Sequence, residues 1–131
     1  MSSIIDQAFG IHARALALHG KRAETLATNM ANADTPGYKA RDIDFTAALK
    51  DAMQAGAPAM TRSNAAHIAP ADASGGPQLM YRMPLQPSAD GNTVDLQTEQ
   101  GQFTENAIRH QASFTFLDGT IRNLMTAIKG E

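Results

Sequence analysis

Both ends of this chain carry an apolar stripe at alternating spacings of four and three, and that pattern restricts the fold more than any other feature. In the first stripe Ile5, Phe9, His12, Leu16, His19, Ala23, Leu26 and Met30 recur without a slip. In the second, Leu96, Gln100, Phe103, Ala107, His110, Phe114, Leu117, Ile121, Leu124 and Ile128 do the same. A mean period of 3.5 places each set on one narrow line along an α-helix, the seam of a coiled coil and not the wider face that a helix turns to a globular core. The spacing predicts a helix from about Ser3 to Asn32 and another from Leu96 to near Lys129, the second roughly 50 Å long at 1.5 Å rise per residue. Ala8, Ala15 and Ala27 flank the first seam and admit a neighbouring helix at close range.

The first stripe stops at an equally specific signal. Asn29, Ala31 and Asn32 lead into Thr35-Pro36-Gly37-Tyr38-Lys39. Proline lacks the N–H that a helix interior needs and restricts the residue before it, while glycine supplies the positive φ of a type II turn. Asparagine tolerates left-handed backbone and bonds nearby main chain, so Asn29 and Asn32 suit a helix end. At the start of the second helix Asp95 reads as the N-cap, with Glu99 in the first turn and Lys129 in the last, each suiting the helix dipole. Gly101 and Gly119 inside it each cost about 1 kcal/mol against alanine and mark either a bend, a close backbone contact or simple tolerance.

Composition argues against a compact β-rich core. Val94 is the only valine, tryptophan is absent, and aromatics make up 5% of the chain. Much of the hydrophobic fraction is alanine, which favours helix and buries little area. Between the helices Asp42-Ile43-Asp44-Phe45 reads as a short extended piece followed by a helical turn or two. From Ala55 to Asn92 the chain is rich in Pro, Gly, Ser and Ala and reads as loop, except for Leu79-Met80-Tyr81-Arg82-Met83, a short strand that docks on something. The organisation is an assembly helix over 1–33, a turn and loop-rich middle over 34–93 and a second assembly helix over 94–131. The fold class is mainly α, with long terminal helices forming a coiled-coil type bundle with neighbouring subunits and an irregular middle.

Several functions find no support. A net charge of -2 with scattered Lys and Arg does not nominate nucleic acid. The lack of cysteine removes disulfides and thiolate metal sites. His12 and His19 are seven residues apart, about 10 Å along a helix, too far to share one zinc, and His110 brings no third ligand. Asp34, Asp42 and Asp44 have no nucleophile or oxyanion donor beside them; Asp34 serves the turn, and Asp42 and Asp44 face solvent. Gly75-Gly76 is followed by proline and lacks the strand and helix of a phosphate loop. No enzyme, cofactor or metal is expected. No stretch approaches the ~18 apolar residues of a membrane span, and the N-terminus lacks the basic and apolar regions of a cleaved signal peptide.

The motif Asn29-x-Ala31-Asn32-x-x-Thr35-Pro36-Gly37-Tyr38-Lys39 resembles the N-terminal signature of the axial proteins of the bacterial flagellum, the rod, hook and hook-associated family. Ala40-Arg41-Asp42-Ile43-Asp44-Phe45 and Gly91-Asn92-Thr93-Val94-Asp95-Leu96 narrow the resemblance to its short proximal-rod members. Ala66-His67-Ile68 is similar to a patch that relatives carry after the first loop, although Arg62-Ser63-Asn64-Ala65 before it departs from their form. The resemblance implies a structural subunit that assembles helically, encloses the export channel and transmits torque. It also implies partners: other copies, other rod proteins, and the membrane-ring adaptor and export gate at the proximal end. The implied location is the periplasmic rod, reached through the flagellar type III apparatus without a cleaved signal peptide. On this reading Asn29, Asn32 and Tyr38 also contact neighbouring subunits. The alternative is a soluble coiled-coil adaptor or export chaperone that does not polymerise.

Overall fold

The computed structural model describes residues 4–54, 77–84, 86 and 88–130 of the chain. The Ala66-His67-Ile68 patch and most of the loop-rich middle lie outside the described residues. Helix α1 (Ile4–Ala31) is followed by strand β1 (Arg41–Ile43), helix α2 (Phe45–Gln54), strand β2 (Leu79–Tyr81) and helix α3 (Leu96–Lys129).

Each boundary has a local cause. The end of α1 tightens as the Asn32 amide bonds back to both Thr28 and Asn29 carbonyls. The turn that follows is closed by the Tyr38 amide on the Thr35 carbonyl at 3.2 Å, with Gly37 at φ +73°. Asp44 caps α2, its carboxylate accepting from the Ala47 amide at 3.0 Å. Asp95 caps α3 by accepting from the Gln97 and Thr98 amides, and Gly130 ends that helix in the left-handed conformation at φ 75°. Gly101 and Gly119 do not interrupt α3, and an added Cβ at either would meet nothing within 4 Å inside the chain.

The long helices run antiparallel against one another within the chain. His12 lies against Phe116, His19 against Asn106, Arg22 against Gln102 and Asn29 against Glu99, so that rising numbers in α1 meet falling numbers in α3. The strands form a two-stranded antiparallel sheet that pairs Arg41 with Tyr81, Asp42 with Met80 and Ile43 with Leu79. This sheet and α2 lie against the C-terminal half of α1. The Phe45 ring stacks on the His19 imidazole at 4.3 Å between centroids.

The interior is small and half polar. Among the described residues the buried apolar side chains are Ala15, Leu18, Leu26, Ala40 and Ile43, and an equal number of buried residues are polar: His19, Asn29, Asn92, Glu99 and Asn106. With so little apolar burial, hydrogen-bond satisfaction must specify how the helices meet. It does so completely: among the described residues no buried side-chain nitrogen or oxygen lacks a partner.

Candidate functional site

The two sequence motifs that begin and end the middle region meet in space. Asn92 is buried, and its amide nitrogen fans over the carbonyls of Asn32, Ala33 and Thr35 at 3.1, 2.6 and 3.0 Å. Those carbonyls lie in the turn just past Ala31, two of them also accepting from the Thr35 and Tyr38 amides, so the residue opening the approach to α3 braces the turn that follows α1. The contact continues through the Gly37 amide to the Asp90 carbonyl at 3.0 Å, Lys39 Nζ to the Gly91 carbonyl at 2.6 Å and the Ala40 amide to Thr93 Oγ1 at 2.8 Å. Thr35 Oγ1 donates to Asn32 Oδ1 at 3.1 Å. The turn thus joins the two helices, while Ala31, Thr35, Pro36, Gly37 and Lys39 stay exposed at its surface.

One turn below lies the joint between the helices. Asn29 is fully buried; its Nδ2 donates to the Arg41 carbonyl at 2.7 Å and to Glu99 Oε2 at 3.1 Å, and its Oδ1 accepts from the Arg41 amide at 3.1 Å and the Tyr38 hydroxyl at 3.3 Å. These four bonds use the hydrogen-bonding capacity of Asn29 within its own chain. The half-buried Asn32 bonds locally, its Nδ2 donating to the Thr28 carbonyl at 2.8 Å.

Beside Asn29 sits a balanced cluster of two cations and two carboxylates. Arg22 forks onto Asp42 at 2.9 and 2.8 Å, and Arg82 donates to Asp42 at 2.7 Å and, very closely, to Glu99. Gln102 Oε1 accepts from both guanidinium groups, at 3.0 and 2.8 Å. Asp42 is accordingly not solvent-facing, because two arginines from different elements hold it. Burial pushes its carboxyl up, but hydrogen bonds from Arg22, the Ile43 amide and Arg82 outweigh that and hold it below the usual range. Glu99 shifts the other way: burial raises it, and the bonds from Asn29 and Arg82 offset this only in part.

The third contact is reciprocal. His19 Nδ1 and Asn106 Oδ1 lie 2.9 Å apart, and Asn106 Nδ2 donates to the His19 carbonyl at 2.9 Å. Burial lowers the imidazole's affinity for a proton, against the raising effect of the Asn106 bond. This histidine therefore serves the joint between helices. Among the described residues no group of three or more His, Cys, Asp or Glu is placed to hold a metal ion.

The predicted stripes occupy two different environments. In α1, His19 and Leu26 are buried, while Phe9, His12, Leu16, Ala23 and Met30 are half-buried; Ile5 lies in the first turn. In α3 the side facing α1 is the polar line Glu99, Gln102, Asn106 and Ser113. The stripe runs about a quarter-turn around the helix from that line. Leu96, Phe103, Ala107, Phe114, Ile121 and Ile128 are exposed, with Phe114 at 52% and Ile128 at 84%, whereas His110, Leu117 and Leu124 are half-buried. Ile108, Phe116 and Met125 add to the exposed apolar surface.

Arg22, Gln102 and Asn106 escaped sequence reasoning, Arg82 and Asn92 were read only as members of a strand and a motif, and Glu99 only for its charge. A signal was present. Ala15, Arg22 and Asn29 are seven apart in α1, as are Glu99, Asn106 and Ser113 in α3. A second heptad beside the apolar one marks the line along which the helices meet in the chain.

Comparison with known proteins gives the family. The flagella basal body rod protein family matches residues 9–39, the stretch from Phe9 near the start of the first stripe through the turn. The flagellar basal body rod protein FlgB of Aeromonas hydrophila is 47% identical over 133 residues, covering 100% of this chain and 99% of that protein. The FlgB of Escherichia coli K12 is 46% identical with 95% of each covered, and that of Cereibacter sphaeroides is 46% identical with 100% of each covered. With both motifs folded into one joint and identity spread over nearly the whole length, the chain belongs to the family of flagellar basal body rod proteins FlgB, a structural family and not an enzymatic one.

Proposed function

We propose that this rod component is a subunit of the proximal rod that polymerises through the exposed stripe of α3 and the half-buried stripe of α1, forming a helically ordered tube around the export channel. In that assembly 1–33 and 94–131 are the packing units and 34–93 faces outward or meets adjacent rod proteins. The tube carries torque toward the hook, and its proximal end meets the membrane-ring adaptor and the export gate. The subunit reaches the periplasmic rod through the flagellar export apparatus without a cleaved signal peptide. No described helix is long and apolar enough to cross a membrane, which agrees with a place in a protein tube.

The observation that carries this reading is the stripe of α3. A helix of 34 residues whose buried residues are Glu99 and Asn106 leaves most of its apolar line exposed, with only His110, Leu117 and Leu124 half-buried. Full burial of a large apolar side chain contributes about 1.5–3 kcal/mol, so half-exposed Leu96, Phe103, Phe114 and Ile121 together contribute several kcal/mol at each contact with a neighbour. A non-closing, head-to-tail contact of this kind propagates as a helical filament.

Phe114→Asp tests it. Because Phe114 points away from the joint, the variant is expected to keep the helicity and melting behaviour of the parent chain while being absent from purified basal bodies, in non-motile cells. Motile cells with the variant in their basal bodies would remove the stripe from the assembly. A parent protein recovered only from the soluble fraction of flagellated cells would point instead to an adaptor or chaperone.

A further inference from the structure

Strand β2 is attached to the molecule by surprisingly little apolar burial. Leu79, Met80 and Tyr81 are 49%, 50% and 69% exposed, and Met83 beyond them is 86% exposed. Removal of apolar surface from water therefore holds this strand only in part. Among the described residues the other attachments are a three-residue ladder on β1, the Arg82 amide on the Ala40 carbonyl at 2.9 Å, the Arg41 guanidinium 5.3 Å from the Tyr81 ring centre, and the side chain of Arg82. A two-stranded ladder alone is marginal in water. Among the described residues Arg82 is the one deep anchor: its guanidinium, 19% exposed, reaches Asp42 from β1 and Glu99 and Gln102 from α3.

The bonds that join α1 to α3 do not pass through this strand. Arg22 with Gln102, Asn29 with Glu99, and His19 with Asn106 connect the helices directly, and Asn92 ties the start of α3 to the end of α1. Two levels of structure are thus separable, a helix pair with its own polar joint and an outer strand pinned to it by one side chain.

We propose that Arg82 is a single-residue latch, and that residues 79–82 open from β1 and reclose as a unit while the α1–α3 pair stays formed. Opening uncovers the hydrogen-bonding edge of β1 beside two carboxylates, one of them, Asp42, still paired with Arg22. The uncovered site suits an extended segment that brings a guanidinium to the position of Arg82. This device concerns the single chain and stands whether or not α3 is the assembly surface.

Native-state hydrogen exchange of the unmodified chain across low urea concentrations tests it. The Arg82 amide and the other amides that bond across the strand pair, which exclude those of Arg41 and Ile43, are expected to exchange through an opening almost insensitive to urea, at least about tenfold faster than the slowest amides of α1 and α3, whose exchange rises steeply with urea. Arg82→Gln is expected to speed the cross-strand amides by at least about tenfold, and Arg82→Lys by less, since lysine keeps the charge but not the fork; the slowest helix amides speed by no more than the same factor, because unfolding also breaks the bonds of Arg82, and the two classes keep their different urea slopes. Ladder exchange that rises with urea as steeply as that of the helices would overturn the latch. So would a ladder indifferent to Arg82→Gln, or helices that lose more protection than the ladder does.

Discussion

Asn29 does more for this molecule than any apolar residue of similar size. It satisfies both backbone groups of Arg41, accepts from Tyr38 and donates to Glu99, so its removal strands four groups at once. Asn29→Ala is expected to lower unfolding free energy by about 2–4 kcal/mol, read from the urea midpoint at unchanged slope, because buried groups left unpaired cost more than the bond they lose. The carboxylates give opposite signatures in acid. Asp42 is held below its ordinary 3.8, so the unfolded chain takes up the proton first and the stability Asp42 supplies is lost as pH falls below that value. Glu99 is raised above 4.5, so the folded chain takes up its proton first and stability is gained as pH falls through that raised value. Relative to the parent, Glu99→Gln is therefore expected to lack a gain between neutrality and about pH 4.5, and Asp42→Asn to lack a loss below about pH 3.8; stability measured across pH checks both. The turn residues were legible in the sequence because proline and glycine act locally. The partners of Asn29 and Asp42 were not, because the sites on Arg41, Arg82 and Glu99 are brought to them only by the tertiary fold.

At the scale of elements, the stripes gave the helices almost to the residue. The extended piece before α2 and the strand around Met80 were also visible, since both are bounded by turn residues. What periodicity could not decide was the direction each stripe faces. An apolar line normally points inward, yet in α3 the inward line is Glu99, Gln102 and Asn106, and the apolar line is exposed beside it. A subunit built for a larger assembly divides its helix surface in this way, with polar specificity used inside and apolar area kept for neighbours. Glycines separate the two kinds of constraint. Gly37 sits at φ +73°, so Gly37→Ala is expected to cost about 1 kcal/mol, while Gly101→Ala in α3 meets no neighbouring atom in the chain and is expected to add up to about 1 kcal/mol. Thermal unfolding of the isolated chain distinguishes them.

The whole molecule is an antiparallel helix pair closed at one end by the Thr35-Pro36-Gly37-Tyr38 turn and the Asn92 brace, with a small sheet and a short helix on its flank. The apolar interior formed by the described residues is slight for two helices of this length, and the polar joint explains their register but not their exposed surface. In the proposed assembly, neighbouring subunits supply the missing burial. Since the chain has no cysteine, single cysteines placed along α3 report contacts without interference. The decisive measurement is disulfide or maleimide cross-linking between subunits in purified basal bodies carrying Phe103→Cys, Phe114→Cys or Ile121→Cys, compared with Ser113→Cys on the line facing α1. Cross-links to neighbouring rod subunits from the stripe positions and none from position 113 are the predicted result; stripe positions that cross-link no better than position 113 would contradict the account.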